Sequence, residues 1–243
     1  MTVTSNKTNS KKIGLIGGLT WLSTLDYYRL LNQLYNEQAG GAEAPEILIY
    51  SVNFGTIKTL TQAGQWDEIA VIICDAARKL ETAGADCILI GANTMHKIAD
   101  RIQAAIRIPV IHIASETAAV IAGQGLSRVA LLGTKYTMQL DFYRNKLAER
   151  GIETMIPDED GIRIVNDAIY EEMSKGLFLP ETKAAYLRII QRLVDAGAQG
   201  IILGCTEIPI LIKQEDCPVL VFDTTMIHVR AAVRFALSES TNK

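Results

Sequence analysis

Two stretches of this chain repeat one pattern without a gap. Ala83–Thr94 reads Ala-Gly-Ala-Asp-Cys-Ile-Leu-Ile-Gly-Ala-Asn-Thr, and Ala196–Glu207 reads Ala-Gly-Ala-Gln-Gly-Ile-Ile-Leu-Gly-Cys-Thr-Glu, an offset of 113 residues. Ile13–Gly18 resembles Val129–Thr134 at an offset of 116, and Pro109–Ile111 resembles Pro218–Leu220 at 109. Three ordered matches at nearly one spacing are hard to obtain by chance. Two similar lobes are the economical architecture.

The runs within and around the repeats give each lobe its class. Lys12–Ile16, Ile47–Val52, Cys87–Ile90, Val110–Ile113, Val129–Leu132, Gly200–Leu203 and Val219–Phe222 are short and continuously apolar. Strands read this way when helices cover both faces of a parallel sheet. Between them apolar residues recur at helical spacing, as in Ile69, Ile72, Ile73, Ala76 and Leu80, and in Leu187, Ile190, Leu193 and Val194. Gly84 and Gly197 stand where a glycine would stop each helix. The class is α/β. Each repeat then carries Gly-X-Asn/Thr at the carboxyl end of a strand, the usual ligand edge of an open parallel sheet. Two such edges facing across a pseudo-twofold axis present equivalent positions to opposite faces of one small ligand. Those positions are Ala92 and Cys205.

Composition removes several alternatives. Lys and Arg number 24 against 27 Asp and Glu, a net charge of −3, which gives no reason to expect a nucleic acid or an anionic membrane as partner. Apolar residues make up 49 %, enough to offset chain entropy. No apolar run approaches the roughly 18 residues that span a bilayer. Residues 1–11 are rich in Thr, Ser and Asn, and the expectation is a short disordered tail rather than an export signal. Cys74, Cys87, Cys205 and Cys217 form no CxxC pair, so reduced thiols and a cytoplasmic location are expected. His96, His112 and His228 show no metal-ligand spacing, and no metal is expected.

Individual motifs carry both plain and functional readings. Cys205 lies just past a strand at a helix start, where a lowered thiol pKa would make thiolate chemistry available; a small buried hydrophobe is the plainer alternative. Cys74 and Cys87 fall on core positions. Gly14–Thr20 follows the first strand but is neither GxGxxG nor a P-loop, and the second strand ends in Ser51-Val52-Asn53 without a ribose-binding acid. A glycine turn approaching a substrate carboxylate fits it better than a dinucleotide. Asn93-Thr94 and Thr206-Glu207 bring amides and hydroxyls to the same edge, with helix capping as the plain role. His96 and Lys97 follow one turn on, near an acidic ligand or on a solvated face.

With these residues in hand, the chain resembles the cofactor-independent aspartate/glutamate racemase family. Ile13–Trp21 with Ser23-Thr24 and Tyr27-Tyr28, Asn93–Lys97, Leu132–Thr134 with Tyr136–Met138, and Gly204–Glu207 together carry the resemblance over nearly the whole length. It implies two flavodoxin-like lobes, residues 12–105 plus 215–243 and residues 106–214, with the active site in the cleft and the last strand and helix returning to the first lobe. It implies a small acidic amino acid, aspartate or glutamate, as substrate, no cofactor, and a homodimer. Two acid/base groups, one per lobe, would work on opposite faces of the α-carbon. Backbone N–H groups near Asn93, Thr94 and Thr206 would hold the carboxylate, and Gly17, Gly18, Asn53, Thr137 and Glu207 join the expected substrate contacts.

One residue departs from the family pattern. The first-lobe acid/base position, Cys or sometimes Thr in relatives, is Ala92, which can neither accept nor donate a proton. Cys205 is the retained acid/base, and turnover is expected to be weak or one-sided. A one-thiol decarboxylase on the same scaffold and a degenerate binding protein for acidic metabolites are the alternatives.

Overall fold

A computed structural model describes residues 10–238, so most of the expected tail lies outside the described residues. The chain opens with β1 (Ile13–Gly17), every residue of it buried. Then come α1 (Trp21–Ala39), β2 (Ile47–Ser51), α2 (Phe54–Gln62), α3 (Trp66–Thr82), β3 (Cys87–Ile90), a 3-10 turn (Thr94–Ile98) and α4 (Ala99–Ala105). β1 pairs in parallel with both β2 and β3, Ile13 standing opposite Ile47 and Cys87, in the order β2-β1-β3. The expected strand at Val110–Ile113 shrinks to one bridge, Val110 on Ile88.

The second half repeats this plan. α5 (Ile113–Gly123) leads into β4 (Arg128–Gly133), α6 (Lys135–Gln139), α7 (Asp141–Ala148), β5 (Glu153–Met155) and α8 (Glu159–Asp167). A π-helical turn (Ala168–Glu172), α9 (Pro180–Asp195), β6 (Gly200–Gly204), α10 (Ile208–Leu211), β7 (Leu220–Asp223) and α11 (Thr224–Leu237) complete it. The order β5-β4-β6-β7 reproduces the first sheet with its fourth strand fully formed. Among the described residues no helix is long and apolar enough to cross a membrane.

The lobe boundaries differ from expectation. β7 pairs with β6, Ile202 opposite Phe222, so the last strand stays in the second sheet; Val110 conversely belongs to the first. Only the helices cross over. α5 buries Ile113, Ala118 and Ile121 against Val129, Leu131 and Phe222 of the second sheet. α11 buries Val229, Ala232 and Val233 against Ile13, Leu15 and Leu89 of the first and Tyr27 of α1. Each lobe therefore completes its apolar cover with a helix that follows the other lobe's fourth strand.

The chain's three histidines gather where these helices cross, His96 with its ring 4.7 Å from His112 and 5.5 Å from His228. His228 donates Nε2–H to Ile111 O at 2.7 Å, and its Nδ1 accepts from Tyr27 Oη at 2.8 Å. Burial keeps all three rings neutral, holding His112 at about 4 and His228 at about 3.

Candidate active site

The carboxyl ends of both sheets open on one cleft enclosing about 590 Å³ of atom-free space, part of it in contact with solvent. The first lobe contributes Leu19, Thr20, Phe54, Ile57, Lys58, Thr61 and residues 92–95; the second contributes Thr134, Ile169, Tyr170, Ser174 and residues 204–207. Gly204 lets the second-lobe edge close up, because a Cβ there would stand 2.8 Å from Leu132 O.

Cys205 follows, half-buried, with its Sγ donating to Glu207 Oε2 at 3.0 Å. Glu207 is 3 % exposed. It accepts two more hydrogen bonds, from Thr206 Oγ1 at 2.6 Å and from Thr20 Oγ1 of the first lobe at 2.8 Å. Burial is the main cause that pushes the Cys205 thiol well above its ordinary pKa, and the Glu207 charge adds to it; the N–H groups of Glu207 and Thr206 oppose this without reversing it. The expected lowering by a helix N-terminus is thereby corrected. α10 has only four residues and starts three positions on, whereas the carboxylate is in direct contact. Cys205 stands as a thiol, with Glu207 placed to take its proton.

The first-lobe edge has the same frame without a thiol or a carboxylate. Ala92 occupies the position of Cys205, and Thr94 that of Glu207. Thr94 Oγ1 lies 2.9 Å from Thr134 Oγ1 and 3.2 Å from Thr137 Oγ1. Thr20 and Thr134 are the N-caps of α1 and α6. Each lobe's first N-cap thus bonds the residue two beyond Cys205 or Ala92 of the other lobe. Asn93 does not cap. Its Nδ2 donates to Thr224 Oγ1 at 3.0 Å, and its buried Oδ1 has no partner. His96 is buried rather than solvated: Nδ1–H donates to Ala92 O at 2.9 Å and Nε2 accepts from Ile113 N at 3.2 Å.

Six of the expected residues therefore meet in the cleft: Ala92, Asn93, Thr94, Cys205, Thr206 and Glu207. Thr137 sits one hydroxyl behind Thr94. Gly17 and Gly18 form the turn below the lining, Gly18 at φ +72° with its N–H on Thr24 Oγ1 at 2.8 Å. Asn53 is exposed and caps α2 by accepting from Thr56 N at 3.1 Å. Sequence reasoning missed Lys58, Tyr170 and Ser174. Among the described residues that line the cleft, Lys58 is the one cation, 5.4 Å from the Tyr170 ring centroid and 4.0 Å from Glu171. Tyr170 and Glu171 belong to the π-helical turn, a rare conformation frequently found at functional sites.

Comparison with known sequences assigns the chain to a family. The profile of the Asp/Glu/Hydantoin racemase family matches residues 16–232. The chain belongs to that family.

The racemase is similar to the broad specificity amino-acid racemase RacX of Bacillus subtilis (strain 168), 26 % identical over 91 % of this chain and 96 % of RacX. Two crystal structures are nearer in sequence. One, from Yersinia pestis and provisionally assigned as an Asp/Glu racemase, is 46 % identical with a TM-score of 0.88, covering 94 % of this chain and all (100 %) of that one. The other is PH1733, an aspartate racemase homologue from Pyrococcus horikoshii OT3, 39 % identical with a TM-score of 0.81 over the same shares, 94 % and 100 %. Amino-acid racemisation, an isomerase activity, is the activity class of this racemase, and its two-lobed α/β fold is the family's.

Proposed function

We propose that this racemase moves the α-proton of an amino acid, aspartate and glutamate among its substrates, through Cys205 on one face only. The observation that carries the reading is the Cys205 Sγ to Glu207 Oε2 contact at 3.0 Å, opposed across the repeat by Ala92. Glu207 takes the thiol proton, and the thiolate then removes the α-proton, leaving a thiol and a carbanion delocalised into the substrate carboxylate. Return of a proton from the thiol restores the starting hand. Return of a proton from water on the Ala92 face inverts it, and the hydroxide left behind is neutralised by the proton that Glu207 holds. Asn93 Oδ1 is a free acceptor for the substrate ammonium, and Lys58 supplies positive charge to a carboxylate.

The test is α-proton exchange in D₂O followed by proton NMR for both enantiomers. Exchange that disappears in a folded Cys205→Ala protein supports the assignment; undiminished exchange refutes it. One observation, Ala92, also favours a one-thiol reading in which a malonate-type substrate loses CO₂ and the resulting carbanion takes the Cys205 proton once. CO₂ release without amino-acid exchange would select it.

A further inference from the structure

We infer that His96, behind the cleft lining, is a positioning residue for inversion: through the Ala92–Asn93 peptide it aims the Asn93 N–H at the water that returns a proton on the Ala92 face. The inference rests on the α-proton reading above and gives its second face a determinant of its own.

Two partners lock the ring, and each allows one role. Ala92 O can only accept, so Nδ1 carries the proton across 2.9 Å; Ile113 N can only donate, so Nε2 is the acceptor at 3.2 Å. The other two histidines are held the opposite way round. His228 gives its Nε2–H to Ile111 O, and His112 Nδ1 accepts from Ala114 N and Ser115 N at the start of α5. A trans peptide is planar, with its C=O and N–H pointing in opposite directions. Ala92 and Asn93 line the cleft and His96 does not. Holding the Ala92 carbonyl back towards His96 therefore turns the Asn93 N–H forward into the cleft. Among the described residues no carbonyl accepts from Asn93 N.

The repeat shows independently where that N–H points. Thr206 aligns with Asn93, and Pro209 with His96. Proline brings no donor, and the second lobe holds the aligned carbonyl with its backbone instead, Ile208 N donating to Cys205 O at 3.3 Å. The Thr206 N–H then reaches the Cys205 sulfur. On the first-lobe edge the same N–H faces the region beyond the Ala92 methyl, where the proton-returning water stands. Donating to that oxygen, it stabilises the hydroxide that forms as the water gives up its proton.

Two substitutions separate the two bonds of the ring. The amide of His96→Asn falls near Nδ1 and can donate to Ala92 O, as Asn32 Nδ2 does to Tyr28 O, also four residues back, at 2.7 Å. The amide of His96→Gln falls near Nε2 and keeps only the Ile113 contact. The experiment takes the enantiomer of aspartate or glutamate whose α-proton faces Cys205. It follows deuterium wash-in with retention by proton NMR, and inversion by optical rotation. His96→Gln should slow inversion by about 10²-fold, as misplacing a positioned group does, with wash-in and KM little changed. His96→Asn should invert near the wild-type rate. Inversion and wash-in falling together, or inversion slowed equally in both variants, overturns the inference and leaves the α-proton reading intact. A wild-type protein that exchanges neither hand overturns both. Nitrogen-15 NMR of the wild-type protein needs no variant: His96 alone of the three histidines should be the Nδ1–H tautomer, and Nε2–H there overturns the inference.

Discussion

At the scale of single residues, the two halves of the cleft differ at one aligned position, a methyl at Ala92 and a thiol at Cys205. Ala92→Cys should raise racemisation by about 10²- to 10⁴-fold, the range one positioned acid/base supplies, as followed by optical rotation; a folded, substrate-binding variant no faster than the parent would show that the opposite face needs no thiol. Glu207→Gln should lower the Cys205 pKa, because it removes a negative charge in contact with the sulfur, though burial will hold it above the ordinary value. The rate of iodoacetamide alkylation against pH reads this directly. An unmoved or raised midpoint would mean that burial alone sets the thiol. Much of this contrast was legible in sequence, since the gap-free repeat aligned Ala92 with Cys205. The sign of the thiol shift was not. It depends first on how deeply the sulfur is buried and then on where the Glu207 carboxylate folds back, and spacing along the chain encodes neither.

At the scale of elements, the reading succeeded where a run is apolar throughout and failed where pairing alone makes the strand. β1, β3 and β6 are buried throughout, and β4 is buried from Val129 on. β5, Glu153-Thr154-Met155, is an edge strand of three residues with no apolar stretch to announce it. Lys58 escaped for a similar reason: it lies on an ordinary-looking α2, and only the approach of the π-helical turn gives it a cleft to face. Asn53 was legible as polar at a strand end, but its oxygen is spent on the first turn of α2. Asn53→Ala should therefore cost about 0.5–2 kcal/mol of stability, as loss of an N-cap does, with KM little changed. A large KM increase without loss of thermal stability would return Asn53 to the substrate.

The whole molecule is held at the crossing of α5 and α11, where neutral histidines fill the space between the lobes. Free imidazoles protonate near pH 6.5, whereas His112 and His228 resist until about 4 and 3. The unfolded chain thus binds protons first as pH falls. Stability is fully present above about pH 6.5. It is lost on acidification towards the folded-state values, at up to about 1.4 kcal/mol per pH unit for each histidine. Urea midpoints at pH 7 and pH 4.5 should differ sharply, and equal midpoints would contradict the neutral cluster. The crossing has a further consequence for how the chain is divisible. Each repeat unit, one ending with α5 near Gly125 and the other with α11, leaves part of one face of its own sheet to its twin's helix and covers its twin's in return. Such an exchange of one element between two like bodies is the geometry of a domain-swapped pair, here joined end to end through the turn at Gly125. Severed at that turn, neither fragment should fold alone, yet the two co-expressed should assemble in trans into the same cleft.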